Sequence, residues 1–164
     1  MTRRIIAFDP GGTTGWATWT VDNVSIWNEA RFTCGQLGPA EHHEQLDLLL
    51  GNQHVMDYTI ITESFLFRNN LDNAELISRE YIGVMKRWFQ ANRHIGRVRM
   101  FQQTASMGKV SKTSFVKKEN LEKLGLWFPG QGHAMDAYGH LLWHIIHKGN
   151  MPEVATALLE KGWK

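Results

Sequence analysis

Short apolar runs that stop at acidic or turn-forming residues characterise the first part of the chain. Residues 5–8 are apolar and partly β-branched, and the Asp-Pro-Gly-Gly sequence after them predicts a buried strand that ends in a tight turn. Residues 15–21 alternate small or polar with bulky side chains, which predicts a hairpin, and a third, longer strand is predicted over residues 24–37. Another apolar run, residues 58–62, predicts a buried strand that ends at Glu63.

Most of the helices are indicated by apolar positions three or four residues apart. They are predicted over residues 39–51, 70–91, 116–124, 133–147 and 152–160. Residues 97–103 alternate in polarity and predict an edge strand, and residues 104–118 form a polar connection that carries lysines. This order predicts an α/β fold, with a five-stranded mixed sheet whose first three strands form a meander, flanked by helices in one domain over residues 1–164.

Length and composition narrow the class of protein. The 164 residues are 43% hydrophobic and 21% charged, which excludes wholesale disorder. No apolar run approaches the roughly 18 residues that a membrane span needs, and the apolar run before Asp9 is too short for a signal-peptide core. The single cysteine, Cys34, excludes an internal disulfide and a cysteine-rich zinc site. We therefore expect a cytoplasmic protein with no membrane association.

Positive charge is concentrated in the middle of the chain, although the net charge is only +2. Residues 1–78 carry 4 Lys/Arg against 10 Asp/Glu, whereas residues 79–123 carry 11 against 3. Such a basic segment is typical of a surface that contacts nucleic-acid phosphates, and a solvated helix face with ordinary surface lysines is the alternative.

Three acidic residues lie at positions where α/β proteins commonly have their active-site residues. Asp9 and Glu63 each end a predicted buried strand, and Asp136 lies in the first turn of the last long helix, with His133 on the same side. Carboxylates in such positions cost desolvation energy unless a cation neutralises them, and hard oxygen ligands suit Mg²⁺ or Mn²⁺. The sequence thus predicts that these four residues share a metal site.

Each of these residues also has a purely structural interpretation. Asp9 could be a turn residue, Glu63 could form an ion pair with Arg68, and His133 and Asp136 could serve only the helix N-terminus. The further histidines on the same helix, His140, His144 and His147, lack the glutamate of a zinc-protease motif, and a structural or supporting role is expected for them.

The acidic motifs resemble those of the RuvC-type Holliday junction resolvases, whose fold is ribonuclease H-like. Residues 5–11 with Gly15 and Trp16 are similar to the family's first-strand motif, residues 62–65 to its second, and residues 133–137 to its C-terminal motif. The similarity in spacing extends over residues 5–147, and the small size resembles phage-encoded members.

The resemblance implies hydrolysis of DNA phosphodiester bonds with two bound Mg²⁺ or Mn²⁺ ions about 4 Å apart. It implies that Asp9 bridges both ions, that Glu63 holds one and Asp136 the other, and that His133 either ligates a metal or orients and deprotonates the water. It also places Lys112 at the scissile region.

Several implied DNA contacts concern the junction itself. A second basic position of the family falls on Gln102, for which Lys109 is the expected substitute, and the family's wedge aromatic falls on Leu66, between two phenylalanines. The resemblance also implies a homodimer, with the helix from Leu71 to Ala91 as the candidate interface. Predicted DNA-contacting residues are Lys109, Lys112, Lys117, Lys118, Phe65, Phe67 and Arg68.

We therefore expect a crossover junction endodeoxyribonuclease that cuts four-way junctions and related branched DNA. A ribonuclease H-type or ribosomal-RNA-processing nuclease of the same fold is the main alternative, and a non-catalytic nucleic-acid-binding module is another. An ATPase of the actin or sugar-kinase type is disfavoured because such folds need a second lobe and about twice this length.

Overall fold

The computed structural model of the chain describes residues 2–22, 30–38, 42–51, 56–64, 73–94 and 97–162. Its strands are β1 (Thr2–Asp9), β2 (Thr14–Val21), β3 (Arg31–Leu37), β4 (Met56–Glu63) and β5 (Arg97–Gln103). Its helices are α1 (His42–Leu50), α2 (Asn73–Asn92), α3 (Ala105–Gly108), α4 (Lys118–Leu124), α5 (Gly132–His147) and α6 (Pro152–Gly162).

The five strands form one mixed sheet in the order β3-β2-β1-β4-β5. The first three strands pair antiparallel as a meander, whereas β1, β4 and β5 run parallel. This confirms the predicted fold class, and β5 is an edge strand as expected. Because the carboxyl ends of parallel strands meet at one edge of a sheet, Asp9 and Glu63 both end at that edge, and Glu63 pairs in register with Gln103.

Helices cover both faces of the sheet, which explains why the first strand is apolar at consecutive positions. Ile5 and Ala7 face the cluster that α4, α5 and α6 contribute to, whereas Ile6 and Phe8 face the cluster that includes Met85 of α2. All four strand residues are fully buried. A sheet covered in this way leaves only its edges and strand ends for chemistry.

Helix α5 lies against β2 and α3 more closely than a side chain at the contact would allow. A Cβ atom on Gly15 of β2 would stand 1.9 Å from the carbonyl oxygen of His133, and one on Gly139 would stand 1.7 Å from the carbonyl oxygen of Gly108. Gly15 therefore permits the beginning of α5 to lie close to β2, and Gly139 permits the middle of α5 to lie close to α3.

Two segments differ from the predicted elements. The connection after β5 contains a single helical turn, α3, which its polar composition did not indicate. Of the third strand predicted over residues 24–37, the structure describes Arg31–Leu37, and residues 23–29 lie outside the described residues. Within the described part of the chain, no helix has the length and apolar character needed to cross a membrane.

Candidate metal centre

Asp9 and His133 are joined by a direct hydrogen bond. The Nδ1 atom of His133 lies 2.8 Å from Oδ2 of Asp9, and the ionised carboxylate can only accept, so Nδ1 carries the proton. The backbone N–H of His133 donates to Oε1 of Gln36 on β3, over 3.1 Å. These two bonds connect the first turn of α5 to two strands of the sheet, and they fix the imidazole next to Asp9.

The turn after Asp9 is held from two sides. The hydroxyl of Ser78 on α2 donates to the carbonyl oxygen of Pro10 over 3.0 Å, and the backbone N–H of Gly11 donates to Oγ1 of Thr14 over 3.3 Å. Asp9 therefore projects from a supported strand end rather than from a free loop.

Asp9 is poorly solvated and surrounded by other acids. It is only 9% exposed, and this burial, together with the charges of Glu63 and Asp136, raises the pKa of Asp9 to about 6. The hydrogen bond from His133 opposes the rise. A carboxylate that keeps its charge at neutral pH in such surroundings is one that a cation would stabilise.

Asp136 belongs to the same electrostatic cluster but has a different immediate partner. Its Oδ1 accepts the backbone N–H of Val110 over 2.7 Å. Burial raises the pKa of Asp136, whereas the Val110 bond and the positive charge of Lys109 lower it. Oδ1 of Asp136 is therefore occupied by the backbone N–H of Val110, just after α3, and Oδ2 is the oxygen that could bind a cation.

The most compact set of candidate ligand atoms includes a residue that was not expected to be among them. Asp9, Glu63 and His140 each offer one ligand atom, and these atoms all lie within 4.8 Å of one another. His140 is fully buried on α5, and its Nε2 atom is 3.5 Å from Oε2 of Glu63. Its Nδ1 atom is 2.8 Å from Oε1 of Gln103, at the end of β5.

The donor set fits a divalent cation. Two carboxylates at adjacent strand ends offer oxygen ligands, and an imidazole nitrogen beside them is acceptable to Mn²⁺ and to later transition metals. Burial, and then the charges of Glu63 and Asp136, raise the pKa of Asp9, and a bound cation would offset both effects.

The predicted site residues are distributed as follows. Asp9 and Glu63 lie together, His133 contacts Asp9, and Asp136 interacts with Asp9 through its charge. His140 was expected to play only a structural or supporting part. Its helical spacing of seven residues from His133 and four from Asp136 was the available signal, because it places all three on one side of the helix.

The predicted basic residues have different surroundings. Lys112 and Lys117 line one groove with Lys123, and these three lysines outweigh the single carboxylate of the lining, Glu119, so the groove is positively charged. Lys118, in contrast, is within 3.5 Å of Glu122 and lies over the ring of Trp127. Lys109 lies near Asp136, and the predicted contacts Phe65, Phe67 and Arg68 lie outside the described residues.

Comparisons with known proteins find solved structures of similar architecture. No protein-family model matches the sequence, and no curated protein matches it. The structure of Thermus thermophilus RuvC matches with a TM-score of 0.53 and 15% identity, covering 86% of this chain and 92% of that one. RuvC of T. thermophilus in complex with a Holliday junction substrate matches with a TM-score of 0.53 and 14% identity, over 94% and 96% of the two chains. The chain therefore has the RuvC-like, ribonuclease H-type α/β fold.

Proposed function

We propose that this chain, which has the RuvC fold, is a metal-dependent endonuclease that resolves Holliday junctions and related branched DNA by hydrolysing phosphodiester bonds. The observation that carries the proposal is the convergence of acidic ligands at one sheet edge, where Asp9 and Glu63 end neighbouring parallel strands. Asp136 and His133 on α5 complete a set of four functional groups from three separate elements.

In this proposal Asp9, Glu63 and Asp136 hold Mg²⁺ or Mn²⁺, with two ions in the complete site. When bound, the cations would supply Lewis-acid activation of water and charge stabilisation at the leaving oxygen. His133 fixes the orientation of the Asp9 carboxylate through its Nδ1 proton, and its half-exposed ring faces solvent where a substrate would enter. Lys109 offsets the negative charge around Asp136.

The substrate class follows from the fold and the charge. The solved RuvC complex contains a Holliday junction, and the same fold here carries a basic groove lined by Lys112, Lys117 and Lys123. Lysine side chains in a groove bind phosphates and release counterions, independent of base sequence. We assign Lys112 and Lys117 to the DNA backbone, and Lys112 to the segment next to the scissile phosphate.

A homodimer is part of the proposal because a four-way junction presents two strands for cleavage. Helix α2 is the candidate interface, and its Leu76 is an exposed large apolar residue. We also propose that the protein acts in the cytoplasm; a phage origin stays a prediction from the sequence.

The decisive experiment compares cleavage of synthetic four-way, flap, linear duplex and RNA–DNA hybrid substrates, with and without Mn²⁺. Glu63→Gln and Asp136→Asn should abolish cleavage and leave junction binding largely intact, because each removes a charge at the metal ligands and keeps the shape. Asp22→Asn, an equally small change at an exposed ion pair with Arg31, is the matched control and should cut at the wild-type rate.

The alternatives give different results in the same assay. Preferential cleavage of the RNA–DNA hybrid would assign the chain to the ribonuclease H-type nucleases. Tight junction binding with no metal-dependent cleavage would indicate a binding module. Normal cleavage by Asp136→Asn would remove that residue from the metal site.

A further inference from the structure

His140 is the one histidine within the described residues whose exposed fraction is 0%. A Cβ atom on Gly108 would stand only 2.1 Å from the imidazole, so α3 packs directly on the ring. The Nδ1 atom lies 2.8 Å from Oε1 of Gln103. The packing of α3 and the contact with Gln103 on β5 therefore both restrict rotation of the ring.

The partner of Nδ1 determines what Nε2 can do. With the amide oxygen of Gln103 directed at the ring, that oxygen accepts the proton of Nδ1, and Nε2 of the neutral ring is then a bare lone pair. The reverse amide orientation would donate to Nδ1 and place the ring proton on Nε2, facing Glu63, and binding of Mn²⁺ decides between the two. Nε2 has no hydrogen-bond partner among the described residues, and it is 3.5 Å from Oε2 of Glu63, which is also an acceptor.

Two acceptors that face each other in a buried position repel unless a positive group joins them. A metal ion satisfies both, because a carboxylate oxygen and an imidazole lone pair are each ordinary metal ligands. Ligating histidines in proteins almost always donate their other ring N–H to an oxygen, which orients the ring and raises its basicity. Gln103, paired in register with Glu63 at the next strand end, supplies that oxygen here.

We infer that His140 is a metal ligand, contributing its Nε2 atom to the cation that Asp9 and Glu63 hold. The inference rests on the proposed metal site and adds a nitrogen ligand from the middle of α5. The three ligand atoms lie within 4.8 Å of one another, close enough for one ion to reach all three. A nitrogen ligand favours Mn²⁺ over Mg²⁺, so the site binds Mn²⁺ more tightly.

The test uses Mn²⁺ alone, without DNA, on the full chain. Pulsed electron paramagnetic resonance detects the hyperfine coupling of a ligated ¹⁴N nucleus to Mn²⁺, and calorimetry gives the Mn²⁺ affinity. The variants are His140→Gln, which keeps the side-chain volume, His133→Gln, and His147→Gln as an exposed control on the same helix. We expect nitrogen coupling in the wild type, in His133→Gln and in His147→Gln. We expect its loss in His140→Gln, with Mn²⁺ affinity reduced about tenfold or more.

The same spectra contain the results that would overturn the inference. Nitrogen coupling that disappears in His133→Gln assigns the ligand to His133. Bound Mn²⁺ without nitrogen coupling in the wild type, or coupling retained in His140→Gln, indicates that His140 only hydrogen-bonds to Glu63. If His140→Gln does not fold, the presence or absence of coupling in His133→Gln still decides.

Failure of the inference and failure of the proposed function can be distinguished. Cleavage of branched DNA by a protein whose Mn²⁺ shows no nitrogen coupling would retain the function and reject the ligand. Nitrogen-coupled Mn²⁺ in a protein that cuts none of the DNA substrates would retain the ligand and reject the function.

Discussion

Replacing Asp9 by asparagine should stabilise the metal-free protein at neutral pH. Burial first, and then the charges of Glu63 and Asp136, raise the pKa of Asp9 from 3.8 to about 6. This rise corresponds to roughly 3 kcal/mol at pH values above both numbers, since each pKa unit is worth ~1.36 kcal/mol. Asparagine has nearly the same shape and its amide oxygen still accepts the proton of His133, so the substitution removes the charge and keeps the contact.

The sign of the pH dependence follows from where the proton resides. Between pH 3.8 and about 6 the folded protein retains a proton on Asp9 that the unfolded chain has released. The free energy of unfolding therefore falls as the pH rises through this window, and the loss is complete above it. Asp9→Asn should match the wild type near the acidic end and exceed it by up to roughly 3 kcal/mol at about pH 7.5.

The stability of the variant must be compared with that of the wild type at each pH, because His144 gives the stability a pH dependence of the opposite sign. Burial, and then the charges of Arg3 and Arg99, lower the pKa of His144 from 6.5 to about 4. The unfolded chain takes up that proton first as the pH falls, so His144 contributes stability that increases as the pH rises from about 4 to 6.5. The contribution of His144 is present in both proteins and cancels in the comparison.

The assay is urea unfolding in EDTA at about pH 4 and about pH 7.5, with the slope against urea compared to confirm a common unfolding transition. An asparagine variant that is less stable than the wild type at neutral pH would refute the reasoning. So would an equal difference at both pH values, because the predicted effect comes from a charge that is absent at the acidic one.

Two further predictions concern the approach of α5 and the basic groove. Gly15→Ala should lower the stability by about 1–3 kcal/mol or more and weaken Mn²⁺ binding, because its Cβ would stand 1.9 Å from the carbonyl oxygen of His133. Gly83→Ala is the control, because a Cβ at this position of α2 would meet nothing within 4 Å, and it should stabilise the protein. Thermal melts measure both variants, and equal melting temperatures for the two would contradict the packing argument. Lys112→Ala and Lys117→Ala should each reduce the slope of log affinity for junction DNA against log salt by about 0.9, whereas Lys161→Ala on α6 should leave it unchanged. Unaltered slopes in both groove variants would remove the groove from the DNA interface.

The fold could be predicted from the sequence because the patterns that indicate its strands and long helices are local. The consecutive apolar residues Ile5 and Ile6 required a strand covered on both faces, and the structure places them in two different cores. The edge position of β5 followed from its alternating pattern, with Val98 buried between exposed arginines. Helix α3 was missed because a single helical turn of four residues is too short to show a helical periodicity.

Only part of the candidate site could be predicted from the sequence, because some of its residues are positioned by the local sequence and others by contacts between distant segments. Asp9 and Glu63 were identified since each follows a buried strand, which is a local observation. The position of His140 depends on contacts with Gly108 and Gln103, which lie 32 and 37 positions earlier in the chain. A histidine on an apolar helix face has the same pattern whether it fills the core or faces a metal, and only the direction of Nε2 distinguishes the two.

The behaviour of Asp9 also separates the two interpretations that the sequence left open. A turn residue stabilises its fold, so its replacement by asparagine would cost stability or leave it unchanged, and Mn²⁺ would affect both proteins alike. A metal ligand at the same position destabilises the empty fold through its buried charge and stabilises it through the ion it binds. If Asp9 is a metal ligand, the Asp9→Asn substitution should therefore have two opposite effects on stability. Without metal, in EDTA, the variant is more stable than the wild type. With Mn²⁺ added, the variant lacks the stabilisation that the ion gives the wild type. A buried carboxylate that binds no metal would give only the first effect, the higher stability of the variant in EDTA. The second effect requires that the carboxylate whose charge is destabilised by burial is also the group that binds the cation.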